Sequence, residues 1–190
     1  MASAIGWYGD RGDEELTEES EIGVGFLPET CSDWEGASAN LPDEVRHVYL
    51  RSGIVLSGTG GALGKMLLPF KMGAGGPMGN GKQWMSWISL DDEIYAIHHL
   101  LMETGSKGVY NLTAPNPVRQ KTFAKTLGRV LRRPAFAPLP GFVIKILFGE
   151  MGVKLTLESQ KVFPNRLLKE GYEFLHPELD TALQDTLGLW

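Results

Sequence analysis

A glycine-rich stretch that ends in two tryptophans, residues 73–92, constrains the fold of this chain more than any other segment. Its sequence is GAGGPMGNGKQWMSWISLDD, and it contains five of the 24 glycines and two of the five tryptophans. Glycine lets a backbone approach another group closely, and tryptophan supplies a large flat apolar surface. The stretch therefore indicates either a loop that lies over a ligand or a loose hairpin whose tryptophans belong to the core.

The composition excludes several classes of protein. The net charge of -5 and the pI near 5.4 disfavour nucleic-acid binding, which needs an excess of Lys and Arg. The single cysteine, Cys31, excludes an internal disulfide and a cysteine-based zinc site. No apolar run approaches the roughly 20 residues that a membrane span requires. Because the first 20 residues are acidic and lack the layout of a signal peptide, we expect a cytoplasmic protein.

The order of predicted elements indicates an α/β fold. β-Branched or apolar runs predict strands at residues 3–8, 45–56 and 108–112. Apolar residues at helical spacing predict helices at residues 26–39, 91–102, 118–131, 142–148, 155–162 and 177–187. Residues 9–22 are expected to form an acidic surface loop, and residues 134–140 a linker. Asp91 or Asp92 is predicted to cap the helix at 91–102. Asn116 is predicted to cap the helix at 118–131, with Pro117 at its first position.

Residues 57–65, SGTGGALGK, resemble a phosphate-binding turn without meeting its requirements. Gly58, Gly61 and Gly64 have the spacing of some dinucleotide-binding turns, and a predicted strand precedes them. However, the next apolar segment is short and leaves little room for a crossover helix, and no ribose-binding carboxylate follows at the expected distance. A P-loop also fails because Thr59 stands where glycine is required. We interpret these glycines as unrelated to cofactor binding.

The order of motifs resembles one protein family. The segments SAIGWYG, CSDWE, RSGIVL, GGPMGNGKQWMSWISLDD, GVYNLTAPNPV and SQKVFPNRLLKEGYEF are similar to those of the atypical, epimerase-like branch of the extended short-chain dehydrogenase/reductases, whose members carry a C-terminal domain of unknown function. The resemblance implies the C-terminal part of a Rossmann-type fold with a small α/β substrate-side domain. It divides the chain into a Rossmann remnant (residues 1–57), a substrate-side segment (58–133) and the family's C-terminal domain (134–190). The glycine-rich βαβ half that begins such proteins is absent from the sequence.

The resemblance also implies roles for individual residues. NADP is the implied cofactor of the full-length form, with Ser3 and Ala4 ending the strand under the nicotinamide and Val55 offering its backbone. Gln83, Trp84 and Trp87 would face the substrate. Ordinary members use a serine, a tyrosine and a lysine for proton transfer, and the alignment puts Ala4, Leu27 and Cys31 at those places. Ser3 and Tyr8 are the nearby polar substitutes.

The chemistry that remains leaves two functions open. One is an NADP-binding protein of the epimerase/reductase type acting on an unidentified small polar substrate. The other is a non-catalytic scaffold with a protein partner, linked to cell or plastid division as the resemblance to some members implies. A plastid location is the alternative to a cytoplasmic one if the source is a photosynthetic eukaryote. No metal site is expected, since His98 and His99 diverge by ~100° on a helix and His47 and His176 lack ligand spacing. Arg51 is expected to form an ordinary ion pair, Asp92 to act only as a helix cap, and the chain alone to fold poorly.

Overall fold

A computed structural model describes residues 1–38, 40–42, 44–136, 138, 149 and 157–189. Its helices are α1 (Phe26–Gly36), α2 (Gly61–Lys71), α3 (Leu90–Met102), α4 (Gln120–Val130), α5 (Asn165–Lys169) and α6 (Leu179–Thr186). Its strands are β1 (Ala2–Ala4), β2 (Glu15–Leu16), β3 (Val48–Ser52), β4 (Ile54–Leu56), β5 (Trp84–Met85), β6 (Trp87–Ser89), β7 (Gly108–Leu112), β8 (Val118–Arg119) and β9 (Lys161–Val162). A short 3₁₀ helix (Ile5–Tyr8) follows β1 directly.

The main sheet is parallel, with strand order β1-β3-β7. Ser3 lies opposite Arg51, and Arg51 lies opposite Asn111, so these three residues form one row across the sheet. Parallel strands need long crossover connections, and here α1 lies between β1 and β3 while α3 lies between β3 and β7. Three further two-stranded ladders, β2-β9, β4-β6 and β5-β8, surround this sheet.

Two large apolar clusters hold the described elements together. One packs α2, α4 and α6 around the fully buried side chain of Trp87 and the end of β4 at Leu56. The other packs α3 against the sheet through residues that include Ala96, Leu100 and Leu112. The first cluster supports the segment that resemblance assigns to the substrate side, and the second supports the sheet.

Two predicted strands are interrupted. The strand predicted at residues 3–8 ends at Ala4, where the ladder with β3 stops, and the chain turns into the 3₁₀ helix. The strand predicted at residues 45–56 breaks at Gly53, where a Cβ atom would lie 2.6 Å from the carbonyl oxygen of Ser86. Beyond this close approach β4 leaves the main sheet and pairs with β6.

Several predicted helices begin or end elsewhere. Residues 118–119 pair with β5 as strand β8, so α4 begins only at Gln120, and Asn116 is not its N-cap. Lys161–Val162 is a strand beside β2 rather than part of a helix, because its backbone pairs with the loop that was expected to stay at the surface. The helix predicted at residues 142–148 lies outside the described residues.

Two helix starts also differ from the predictions. Residues 61–71 form an α-helix of three turns where little room for one was expected, with Leu63, Leu67 and Phe70 buried on one face. Helix α3 is capped by Ser89, whose side chain accepts a hydrogen bond from the backbone N–H of Asp92. No helix in the described part of the chain is long and apolar enough to cross a membrane.

Candidate functional site

A buried row of polar side chains crosses the sheet next to Ala4, one of the three positions that the resemblance aligns with catalytic residues. Ser3, Arg51 and Asn111 share one face because they are register partners on adjacent parallel strands. Glu35 reaches this row from α1 and accepts two hydrogen bonds from Arg51, from Nε and Nη2, each of 2.9 Å. The Oγ of Ser3 donates to Glu35 at 2.7 Å. The side chain of Arg51 is 3% exposed and that of Glu35 10%, so this is a buried ion pair.

The aromatic residues of the 3₁₀ helix complete the row. The guanidinium carbon of Arg51 lies 3.8 Å from the ring centre of Trp7. Although burial by itself lowers the pKa of Arg51, hydrogen bonds to Glu35 and Tyr8 and the charge of Glu35 raise it overall. Arg51 therefore remains charged and fully engaged within the protein, which confirms the expected ion pair.

Tyr8 is closed off from solvent. Its hydroxyl donates to Oδ1 of Asn111 at 2.7 Å and accepts from Arg51 at 3.2 Å, and the side chain has no exposed surface. Burial raises the pKa of Tyr8, with the positive charge of Arg51 opposing the shift. A tyrosine so placed keeps its proton and presents no hydroxyl to a ligand in this structure, and Ser3 is likewise engaged with Glu35.

The three positions aligned with the catalytic residues hold apolar or inert groups. A Cβ at Gly6 would lie 3.4 Å from Cβ of Leu27 and 3.5 Å from Sγ of Cys31, so α1 packs directly against the 3₁₀ helix here. The thiol of Cys31 points to the carbonyl oxygen of Ala4 at 3.8 Å. Burial raises the pKa of Cys31, which keeps it a thiol rather than a reactive thiolate.

Trp84, at the end of the glycine-rich loop, lies between two cations. The guanidinium of Arg119 lies 4.1 Å from the centre of the indole, and the ammonium of Lys161 lies 4.9 Å away. The indole N–H donates to Asp13 at 3.0 Å, and Asp13 also pairs with Arg119 at 2.7 Å. These contacts bind the loop to the acidic segment near the N-terminus, and they fix the orientation of a half-buried indole.

The other residues assigned by resemblance occupy different environments. Gln83 is 6% exposed, and its amide donates to the carbonyl of Met78 within the same loop. Trp87 has no exposed surface and donates from its indole N–H to the carbonyl of Asn116, so it lies in the core. Val55 is half-buried in β4. In this structure Trp87 supports the wall of the loop and offers no surface to a ligand.

A polar cavity of about 700 Å³ adjoins this loop. It is lined by side chains of both signs, among them Asp10, Asp13, Lys82, Gln83, Arg119 and Lys121. Its size falls in the range of small-molecule sites. Another cavity, of about 740 Å³, lies beside His47 and Gly108 at the amino ends of β3 and β7. Because ligands of open parallel sheets bind outside the carboxyl ends of the strands, the cavity at the amino ends is disfavoured, and the cavity beside the loop, which Gln83 lines, is the candidate.

The structure also brings together residues that no sequence spacing could connect. Asp91, His176 and Asp185 offer one ligand atom each, all within 4.8 Å of one another. Asp92, expected to be only a cap, accepts hydrogen bonds at its carboxylate from the backbone N–H groups of Leu175 and His176. Its carboxylate thus holds the C-terminal segment against the start of α3.

The chain is similar in sequence to several known proteins. A family described as a domain of unknown function, DUF1731, matches residues 139–186. The chain is 43% identical over 183 residues to the chloroplastic SDR39U1 homolog of Arabidopsis thaliana, an epimerase family protein, covering 96% of the chain and 52% of that relative. The human epimerase family protein SDR39U1 is 41% identical over 190 residues, covering 99% of the chain and 64% of that protein. The chain is therefore similar to the C-terminal part of these epimerase family proteins.

The solved structures agree with this assignment. The crystal structure of the human epimerase family protein SDR39U1 (isoform 2) with NADPH matches all of this chain with a TM-score of 0.92 at 37% identity. The match covers 64% of the chain in that crystal structure. A nucleoside-diphosphate sugar epimerase from Corynebacterium glutamicum matches 98% of the chain with a TM-score of 0.78 at 35% identity, over 36% of its own length. The resemblance expected from the sequence and the α/β fold of the extended reductases are therefore confirmed. The chain spans between half and two thirds of the length of its first curated relatives.

Proposed function

We propose that this chain forms the substrate side of an NADP-binding protein of the epimerase/reductase type, which takes a small polar substrate. The observation that carries the proposal is the match to the human relative crystallised with NADPH, which extends over the whole chain with a TM-score of 0.92. The substrate is assigned to the cavity beside the glycine-rich loop, where Gln83 and Arg119 line the wall. Trp84 flanks this region from β5, and Trp87 supports the loop from the core.

The residues present fit the nicotinamide end of such a cofactor. Among the described strands, β1 pairs only with β3 and β4 pairs only with β6, so the strands that hold Ala4 and Val55 each have one edge that no other described strand covers. Ala4 also has a small side chain at the carboxyl end of its strand, where a flat ring needs space. NADPH supplies hydride chemistry when bound, and Ser3, Ala4 and Val55 contribute the shape and backbone polarity of the floor.

The acid-base chemistry of ordinary family members finds no counterpart among these residues. Leu27 and Cys31 pack against Gly6, and the hydroxyl of Tyr8 is bound to Arg51 and Asn111. The same observation favours a second candidate, a protein that binds the cofactor without turnover and acts as a scaffold for a protein partner. In that case the buried polar row serves to hold the 3₁₀ helix and α1 in place.

Cofactor binding is tested by the intrinsic fluorescence of the protein in its natural full-length form. We expect NADPH to quench tryptophan emission in a saturable manner. The emission of a nearby indole overlaps the absorption band of the reduced nicotinamide, so energy passes from one to the other. The variants Trp84→Phe and Trp34→Phe form a matched pair, since Trp34 is exposed on α1. Loss of the response in Trp84→Phe alone supports the assigned pocket. An unchanged emission spectrum at millimolar NADPH in the wild-type protein would overturn the proposal.

Turnover separates the two candidates. The protein is incubated with NADPH or NADP⁺ and a panel of carbonyl compounds and nucleotide sugars, and absorbance at the nicotinamide band is followed together with product analysis. A reaction that Gln83→Ala or Arg119→Ala abolishes supports the enzyme. Binding without turnover on the whole panel, together with recovery of a stoichiometric protein partner, supports the scaffold.

A further inference from the structure

Three side chains from distant parts of the sequence converge beside the start of α3. Asp91 stands in the first turn of α3, His176 in the segment before α6, and Asp185 in the last turn of α6. The Nε2 atom of His176 lies 3.5 Å from a carboxylate oxygen of Asp185. The backbone carbonyl of the next residue, Thr186, approaches Gly58 in the turn after β4. The cluster therefore joins the C-terminal helix to the carboxyl ends of β4 and β6.

The hydrogen bonds behind His176 determine which of its nitrogens carries a proton. Ser89 donates its only hydroxyl proton to Asp92 at 2.8 Å and accepts the N–H of Asp92 at 3.0 Å. The Nδ1 atom of His176 lies 3.3 Å from the same hydroxyl oxygen, so it must be the donor there. In the neutral imidazole the proton is then on Nδ1, and the lone pair of Nε2 points toward the carboxylates.

This arrangement leaves a buried acceptor facing other acceptors. The side chain of His176 is 9% exposed, whereas Asp91 is exposed and Asp185 half-buried. A lone pair of Nε2 that faces two carboxylates is unfavourable unless a proton or a metal cation lies between them, because all three groups are electron-rich. The arrangement behind the ring, with Ser89 and the carboxylate of Asp92 on Nδ1, is the kind that orients histidine ligands in metal sites.

We propose that Asp91, His176 and Asp185 bind a divalent cation of intermediate hardness, with Zn²⁺ or Mn²⁺ as the fitting ions. Two ligand atoms at tetrahedral positions around zinc lie roughly 3.4 Å apart, given bond lengths of about 2.0–2.1 Å. The observed 3.5 Å between His176 and Asp185 matches this separation. The exposed carboxylate of Asp91 becomes the third ligand after a small rotation of its side chain, and water completes the coordination sphere. An imidazole ligand favours these ions over Mg²⁺ and Ca²⁺, which prefer oxygen ligands.

The site explains how the C-terminal segment is held in place. A cation there bridges the first turn of α3 and the last turn of α6, two elements that lie far apart in the sequence. It acts on the fold rather than on a reaction, so this inference is independent of NADPH binding and of turnover.

Isothermal titration of the natural full-length protein, stripped of metal with a chelator, tests the site with Zn²⁺ alone. We expect one saturable site and an increase of the melting temperature on Zn²⁺ addition, both reversed by the chelator. Asp91→Asn and Asp185→Asn each remove a charged ligand without a change of shape and are expected to weaken binding at least tenfold. Asp180→Asn is the matched control on the same helix, because Asp180 pairs with Arg129 outside the cluster.

Spectroscopy checks the ligand set in a second way. Substitution with Co²⁺ gives visible bands that report the coordination geometry, and the long-range ¹⁵N spectrum of His176 reports whether Nε2 is bound to metal. If Zn²⁺ does not bind, or if Asp185→Asn binds it as tightly as Asp180→Asn does, the proposal is wrong. A protonated Nε2 with no metal uptake would show instead that the cluster is an imidazolium ion pair.

Discussion

At the scale of single residues, the buried polar row is held together by its own hydrogen bonds. Arg51, Glu35 and Ser3 satisfy one another beside Ala4, one of the positions that the resemblance aligns with the proton-transfer groups of ordinary extended reductases. The ion pair of Arg51 was expected from the sequence, but its partner was not, because Glu35 comes from a helix 16 residues earlier. A charged group this deeply buried is stable only while its partner remains.

Replacement of Arg51 by methionine is expected to lower the free energy of unfolding by about 3–5 kcal/mol, because Glu35 would stay buried without a countercharge. Urea denaturation followed by circular dichroism measures this change. Arg129→Met is the control, since the pair of Arg129 with Asp180 is largely exposed and should contribute less than about 1 kcal/mol. Equal losses in the two variants would contradict the buried ion pair.

A second residue-scale prediction concerns Glu93. One of its carboxylate oxygens accepts from Ser52 at 2.6 Å, while Oε2 has no hydrogen-bond partner within the described part of the chain. Burial raises the pKa of Glu93 above its ordinary value of 4.5, with the bond from Ser52 opposing the shift. A carboxyl group whose pKa is raised by folding binds its proton more tightly in the folded state. Its contribution to stability is therefore present at low pH and is lost as the pH rises through the folded pKa.

Thermal melts of the wild-type protein and of Glu93→Gln, from pH 4.5 to pH 7.5, test this dependence. We expect the stability of the wild type to fall relative to that of Glu93→Gln as the pH rises, since glutamine stays neutral. Glu103→Gln, at the exposed end of α3, should leave the wild-type dependence unchanged. Burial also raises the pKa of Glu18, so part of the dependence should persist in Glu93→Gln. Parallel curves for all three proteins would exclude the assignment.

At the scale of elements, close backbone approach decided where strands and helices end. The β-branched and apolar residues of positions 45–56 predict one strand, yet the chain changes partner strand at Gly53 because Ser86 passes against it. Helix α2 shows the opposite case. Its buried residues Leu63, Met66, Leu67 and Phe70 follow helical spacing, so the sequence contains the signal for a helix. The helix was not predicted because the apolar segment is short.

Replacing Gly53 with alanine should destabilise the protein by about 1–3 kcal/mol, because the new Cβ would lie 2.6 Å from the Ser86 carbonyl and 2.9 Å from Thr113. Gly36→Ala, at the end of α1, provides the comparison, since no atom lies within 4 Å of its Cβ position. That change should be neutral or stabilise by up to roughly 1 kcal/mol through helix propensity. Chemical denaturation of both variants distinguishes the two effects, and a neutral Gly53→Ala would remove the close approach as the reason for the break.

At the scale of the whole molecule, one side of the described structure carries an unpaired strand edge and an apolar helix face. Strand β1 pairs on one side only, and α3 exposes Leu90, Ile94 and Leu101 at spacings of four and seven residues. Leu101 is 66% exposed. Exposed apolar side chains and an open strand edge each favour association with another chain or segment.

The purified 190-residue chain is therefore expected to self-associate and to melt without a sharp cooperative transition. The double variant Ile94→Lys/Leu101→Lys should shift sedimentation toward the monomer, because it places charge on the apolar face of α3. Val24→Lys/Leu175→Lys changes two exposed apolar residues elsewhere and should leave the distribution unchanged. A monomeric wild-type chain with a sharp thermal transition would refute this expectation.

The sequence by itself determined the family resemblance, the α/β class and the existence of the three strands of the main sheet. It did so because hydrophobic spacing and residue order are local properties of the chain and do not depend on contacts between distant segments. Only the tertiary structure decided that Trp87 is a core residue, that Glu35 pairs with Arg51, and that Lys161–Val162 is a strand beside Glu15–Leu16. It alone brought Asp91, His176 and Asp185 together. Contacts between residues far apart in the chain depend on how elements pack, and no spacing in the sequence records that.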